Sequence, residues 1–179
     1  MNKLIIFPTD TVYGIGCYIY DIYNIDRIYD IKKRDKSKPL ACLCASLEQI
    51  KSIAYVNDLA IKLINKYLPG GLTLILKSKE EVKEKIGYNT IGVRIPNCKI
   101  ALDILNECGP MLTTSVNDSG EKPINEYEEI VEKYANVVDK IYPPFEGSSN
   151  VSSTVISIID GEIKLLREGN IKFNDILNV

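Results

Sequence analysis

Short apolar runs alternate along this chain with segments of helical period, and proline or glycine marks most of the joints. Residues 4–7 are apolar and stop at Pro8, which predicts a short buried strand. Residues 21–33 hold Ile22, Ile25, Ile28, Tyr29 and Ile31 as candidate core positions of a helix. A strand is expected at 40–45, and Ser46 with Gln49 three places on resembles a capping box that opens a short helix. Leu59, Ala60, Leu63, Ile64, Tyr67 and Leu68 keep helical spacing until Pro69-Gly70-Gly71 ends it. Residues 72–76, 91–95, 111–116 and 137–141 read as strands. Pro96-Asn97 introduces a helix carrying Ile100, Ala101, Ile104, Leu105 and Cys108, and residues 127–134 form another. Residues 154–159 and 163–166 predict a hairpin around Asp160-Gly161. Loops are expected at 8–14, from the end of the 111–116 strand through Pro123, and at 143–150. Strand–helix–strand crossovers thus mix with adjacent strands, which favours one α/β domain over residues 1–179, a twisted mixed sheet flanked by helices.

What the chain lacks narrows its chemistry. It has no histidine, which excludes a Ser-His-Asp or Cys-His nucleophile and a histidine-ligated metal. The five cysteines, Cys17, Cys42, Cys44, Cys98 and Cys108, are odd in number and show no CxxC spacing. They read as small buried residues in a reducing cytoplasm. Gly14 and Gly16 allow close backbone approach or positive φ but do not make the GxGxxG dinucleotide pattern. No apolar run approaches the roughly 20 residues needed to span a bilayer, and the first is too short for a signal segment. The net charge of −2 excludes a protein-wide attraction for nucleic acid, though not a basic groove on one face.

Against that acidic balance, charged and hydroxyl residues gather at the ends of elements. Lys32-Lys33-Arg34 closes a helix, Thr114-Ser115-Val116-Asn117 ends a strand, and Leu166-Arg167-Glu168-Gly169 ends another. Arginine offers a planar fork to phosphate oxygens and lysine a point charge. The plainer reading of the lysine-arginine run is a solvated helix end favoured by the macrodipole, by roughly 0.3–1 kcal/mol for each cation. Ser115 and Asn117 alternate along the chain and can share one face, while Asn117-Asp118-Ser119-Gly120 also has turn chemistry. Arg94 lies inside an apolar strand and needs a partner: a substrate carboxylate, or an Asp or Glu of the protein. Arg167 poses the same choice. Thr9 and Thr11 share a face if extended, where their hydroxyls either position a substrate or cap a local turn.

Seven segments, read in order, are PTDTVYG at 8–14, KKRDKSKPL at 32–40, LPGGLTLIL at 68–76, VRIPN at 93–97, TSVNDSGEKP at 114–123, SSTVISI at 152–158 and LREG at 166–169. Together they resemble the YrdC/YciO family, and most closely its threonylcarbamoyl-AMP synthases. The resemblance implies a twisted α/β fold with a cationic substrate groove. It implies an enzyme that joins L-threonine, bicarbonate and ATP, with magnesium, into threonylcarbamoyl-AMP and pyrophosphate. The product would pass to a tRNA threonylcarbamoyl transferase complex, and tRNA or RNA contact through a basic groove is a further expectation. The family's KxR signature falls on Lys32 and Arg34 and its SxN signature on Ser115 and Asn117, which implies a nucleotide site with Lys32 and Arg34 as the catalytic cations. Arg167 matches a residue that closes the pocket over ATP. Thr9, Thr11, Arg94 and Ser153 match the threonine end. No residue is assigned to a metal, since magnesium keeps several waters and takes few protein ligands. Four departures stand out. Val116 and Gly71 replace the family's smaller alanine and its proline, and an N-terminal strand and helix and a C-terminal second domain are expected to be missing. The alternatives are an RNA-binding module of the same fold without synthase activity, a related adenylyl transfer on another acceptor, and a paralogue that lost catalysis.

Overall fold

The computed structural model describes residues 3–178; residues 1, 2 and 179 of the expected span lie outside the described residues. The strands are β1 (Ile5–Phe7), β2 (Gly14–Tyr18), β3 (Ala41–Leu43), β4 (Leu72–Lys77), β5 (Thr90–Arg94), β6 (Met111–Ser115), β7 (Lys140–Ile141), β8 (Thr154–Ser157) and β9 (Lys164–Arg167). The helices are α1 (Ile22–Lys32), α2 (Leu47–Ile53), α3 (Asp58–Tyr67), α4 (Glu80–Ile86), α5 (Lys99–Cys108), α6 (Tyr127–Tyr134) and α7 (Phe173–Ile176). All the strands join one sheet in the order β7-β1-β2-β6-β3-β5-β4-β8-β9. The pairs β1–β7, β3–β5 and β4–β8 are parallel and the rest antiparallel, so the sheet is mixed, as expected.

The alternation of side chains along each strand gives the sheet two unlike faces. On one face Ile15, Cys17, Cys42, Leu74, Val93, Leu112 and Ile156 pack with Ile28 of α1, Ile50 of α2, Leu63 of α3, Val82 of α4 and Ile130 of α6. Each fully buried leucine or isoleucine there contributes roughly 1.5–3 kcal/mol. On the other face α5 alone supplies helical cover. Its Ala101, Ile104 and Leu105 pack on Ile5, Phe7, Leu43 and Met111, one end of that face. The remainder of the face is left for a cavity.

Local chemistry explains the helix ends. The Asp21 side chain accepts from the Asn24 N–H and caps α1. Ser46 accepts from the Gln49 N–H, but Gln49 Oε1 accepts from Ala45 N rather than Ser46 N, so the expected capping box is displaced by one residue. Asn57 caps α3.

The structure differs from expectation in two respects. Residues 14–18 are strand β2, not a loop end. Gly14 and Gly16 serve close approach rather than a turn, because they lie opposite Ser115 and Thr113. A Cβ on Gly16 would come within 2.6 Å of Thr113 Oγ1 and 2.9 Å of the Leu112 carbonyl oxygen. Helices α4 and α7 were not expected, since each buries one residue, Val82 and Ile176, and so shows no apolar period. The added bulk of Val116 goes into the core on the helix-covered side, where the residue is 1 % exposed.

Gly16→Ala should therefore destabilise the fold by roughly 1–3 kcal/mol, the cost of overpacking. Gly92→Ala should cost less, because its nearest neighbours are the Ile75 and Thr73 methyl groups, at 3.0 and 3.3 Å, which can move. Denaturant midpoints of the two variants test the order; an equal loss would refute it.

Candidate functional site

Sheet register builds the floor of the cavity. Thr113 lies opposite both Gly16 and Ala41, Ala41 opposite Gly92, and Gly92 opposite Ile75. Small residues in register leave room that larger ones would fill. In the next rows Ser115 faces Gly14, Leu43 pairs with Arg94, and Thr73 aligns with Val155, which aligns with Arg167. Walls come from Thr9 to Gly14, from Arg34, Pro39 and Leu40 after α1, and from Ser152 and Ser153 before β8. The cavity holds about 330 Å³, within the usual size of a small-molecule site.

Of the residues singled out in the sequence, Thr9, Thr11, Arg34, Arg94, Ser115, Ser153 and Arg167 line this one space. They come from six separate segments of the chain, Thr9 and Thr11 sharing one. Lys32 and Asn117 do not line it. α1 ends at Lys32, and Lys33 takes a left-handed conformation, φ 49°, that turns the chain. Arg34 consequently reaches the cavity while Lys32 turns into the wall behind Ser115. There the Lys32 ammonium donates to the Ser115 carbonyl at 2.5 Å, the Asn117 carbonyl at 2.7 Å and Asn117 Oδ1 at 2.9 Å. All its donors are committed. Ser115 Oγ also donates to Asn117 Oδ1, at 2.6 Å, and Asn117 Nδ2 donates to the Asp118 and Glu121 carbonyls. Asn117 thus joins the strand end and makes the turn at once.

The three cavity arginines are held differently. Arg34 donates Nε to the Lys38 carbonyl and Nη2 to that of Pro39, with no carboxylate partner. Arg167 is exposed as a whole residue but donates Nε and Nη2 to the Ser153 carbonyl, and partial desolvation of that guanidinium lowers its pKa. Arg94 is 6 % exposed and pairs with Asp10. The protein-carboxylate alternative for this residue is therefore present, while the guanidinium still faces the cavity. Thr9 and Thr11 hydroxyls lie 3.0 Å apart, and Thr9 also donates to the Val12 carbonyl, so the turn-capping reading holds while both line the space.

Two participants were not picked from the sequence. Thr73 lines the cavity and its hydroxyl meets Ser153 Oγ at 2.8 Å. Asp10 lies between the two threonines. Both sit inside segments quoted for the resemblance, PGGLT and PTDT, and that placement was their only signal. Glu168, beside Arg167, points away and accepts from the Phe173 N–H at the start of α7. Among the described residues no cluster of three or more Cys, Asp or Glu side chains could hold a metal ion. No helix among them is long and apolar enough to cross a membrane. The five thiols are free, four of them buried.

A mixed sheet sealed by helices on one face, with a cavity of arginines and hydroxyls on the other, defines an α/β protein built to hold a small anionic ligand. The Sua5/YciO/YrdC family, described as telomere recombination, matches residues 1–169, and the chain belongs to it. A putative threonylcarbamoyl-AMP synthase of Methanocaldococcus jannaschii is 37 % identical over 168 residues, 94 % of this chain and 80 % of that one. The structure of Pyrococcus abyssi Sua5 complexed with L-threonine aligns with a TM-score of 0.92 at 32 % identity, covering 99 % of this chain. This chain spans only 53 % of that protein. The structure of Escherichia coli YciO aligns with a TM-score of 0.86 at 30 % identity, over 95 % of this chain and 84 % of that one.

Burial, and then the Arg34 charge, pull the Lys32 ammonium down to about 8 from 10.5. Above that pH the amine has fewer donors than acceptors around it, so affinity for a phosphate-bearing ligand beside Ser115, probed with ATP, should fall with a midpoint near 8. Stability should move the other way. Between about 8 and 10.5 the unfolded chain holds more of this proton than the folded one, so this lysine's contribution to stability rises with pH. ATP titrations and thermal melts across that window check both slopes, and Lys32→Met should flatten the binding slope.

Proposed function

We propose that this chain is a threonylcarbamoyl-AMP synthase. The observation that carries the reading is convergence: residues from seven separate segments meet in one cavity, in a fold that a threonine-bound Sua5 matches along nearly its whole length. The reaction has two steps. The threonine ammonium and bicarbonate give an N-carboxy carbamate, water and a proton. A carbamate oxygen then attacks the α-phosphorus of ATP, and pyrophosphate leaves with the electron pair of the broken P–O bond. The product is a mixed anhydride of carbamate and phosphate.

Little covalent work falls to the protein, so positioning and charge stabilisation dominate. Arg34, whose charge no carboxylate offsets, is assigned to the phosphates, with the Ser115 hydroxyl beside them. Lys32 and Asn117 act on the nucleotide end through Ser115, which refines the expectation of direct contact. Arg94, with Thr11, is assigned to the threonine carboxylate, and Thr9 to the same end. Ser153 and Arg167 border the opposite wall, where Arg167 is placed on ATP. Magnesium would arrive on the ATP phosphates, and the cationic and hydroxyl lining fits a metal held by phosphate and water rather than by carboxylates.

The same reading places the enzyme in the cytoplasm, where ATP, threonine and tRNA meet. A mixed anhydride hydrolyses readily, so transfer to a tRNA threonylcarbamoyl transferase complex is the proposed outlet. Direct RNA contact is a separate proposal, to be tested by salt-dependent RNA binding in the absence of ATP.

Pyrophosphate release from ATP should require both L-threonine and bicarbonate. Equal release without threonine would sink the assignment, and equal use of serine would reduce it to a substrate class. Arg34→Ala should stay folded and lose on the order of 1.5–3 kcal/mol of transition-state stabilisation, about ten- to hundredfold in kcat/KM for ATP. Near-wild-type turnover at low ATP would place the phosphates elsewhere.

A further inference from the structure

Arg94 faces the cavity, while Asp10 stands behind it. Asp10 Oδ1 accepts from Arg94 Nη2 at 2.5 Å and from the Asn97 N–H at 2.9 Å. One oxygen thereby ties the loop before β2 to the exit of β5. Arg94 Nη1 donates to Thr11 Oγ1 at 2.6 Å and Nε to the Gly70 carbonyl at 2.9 Å. Each guanidinium nitrogen has one committed N–H, which fixes the plane and rotation of the fork. One N–H on each terminal nitrogen is left over.

This pair is unlike the others. Its side chains are 7 % and 12 % exposed. In every other ion pair among the described residues at least one side chain is 43 % exposed or more. Exposed pairs contribute little, whereas removing one member of a buried pair leaves an uncompensated charge. Burial pulls the Arg94 guanidinium below its ordinary pKa, and Asp10 is the strongest influence opposing it.

We infer that Asp10 is a positioning residue, which holds the Arg94 fork ready for the substrate carboxylate; the inference rests on the synthase reading. A free arginine loses rotamer freedom when it binds, and a fork already held by three bonds avoids that loss. The counter-charge also lets a guanidinium stay buried and ionised before substrate arrives. Since the pair is neutral, its hold on a carboxylate comes from hydrogen-bond direction more than from net charge.

Asp10→Asn keeps the shape and an acceptor oxygen while removing the charge. It should raise the threonine KM about tenfold or more and leave the ATP KM within about twofold. The preference for threonine over threoninol, its alcohol analogue tested as a competitor, should shrink by a similar factor. A rise in both KM values together, with the threonine-to-threoninol ratio unchanged, overturns the inference in favour of a merely structural pair. A second measurement needs no variant. From about 50 to 300 mM salt, the threonine KM of the unmodified protein should change less than about twofold while the ATP KM rises severalfold. Equal salt slopes overturn the inference even where Asp10→Asn does not fold. Threonine-dependent turnover with an unchanged threonine KM in Asp10→Asn overturns it alone. Absence of threonine-dependent turnover in the unmodified protein overturns the synthase reading, and this inference with it.

Discussion

Strand β6 is paired on both sides, to β2 and to β3, and the whole site takes its register from it. Thr113 sits over Gly16 and beside Ala41, which fixes the floor. Ser115 sits opposite Gly14 and reaches the cavity from the strand's last position. A slip of one residue would turn Thr113 and Ser115 into the apolar core and bring Leu112 to the floor. The Lys32 ammonium guards the end of this strand, since its three acceptors are Ser115 and Asn117 oxygens. A lysine buried to 2 % exposure is costly to desolvate. It persists here because every donor has an oxygen. The cost goes into fixing one hydroxyl, which a phosphate site can use only if it does not move.

Charge in the cavity is distributed by burial. The deepest arginine, Arg94, has a carboxylate partner; the half-buried Arg34 has only carbonyls. That order follows from solvation. A deep, unpaired guanidinium would be destabilising in the empty protein, while one nearer water keeps part of its hydration. The consequence is chemical. The Arg34 side of the cavity keeps net positive charge, and the Arg94 side offers directed donors with little net field.

Much of this was legible in the sequence, and the gaps have physical causes. Seven of the nine singled-out residues line the cavity, each from a strand on the open face or from a loop that walls it. The two exceptions, Lys32 and Asn117, share a cause. Spacing from Lys32 to Arg34 shows that the side chains diverge on a helix, but not that Lys33 turns left-handed and sends Arg34 outward. Which cation goes inward depends on acceptors 83 and 85 residues away in the chain. Strand β2 was hidden because its apolar half is only Ile15 and Cys17, while Gly14 and Gly16 leave the cavity-facing half without side chains and read as a turn. Those same glycines are what the floor requires, so the feature that obscured the strand is the one that builds the site. Asp10 was obscured between two hydroxyls with which it alternates.

A chain without histidine still has carboxylates, lysines and tyrosines, but the polar lining of the cavity is made mainly of arginines and hydroxyls. The hydroxyls of the cavity are tied down: Thr9 to Thr11, Thr73 to Ser153, and Ser115 to the amide oxygen of Asn117 behind it. Each pair spans two segments or braces one tight loop, so a substrate atom that displaces one group meets resistance from the other. Tied hydroxyls are poor bases but good fixed dipoles, and fixed dipoles need no reorganisation when charge shifts along a breaking P–O bond. The amine of threonine enters as an ammonium and must lose protons on the way to the carbamate. The hydroxide that bicarbonate gives up takes one of these protons and leaves as water, and the other is released to solvent. The residues then have one task in common, which is to bring two anions together in a space whose cations and dipoles are already in place.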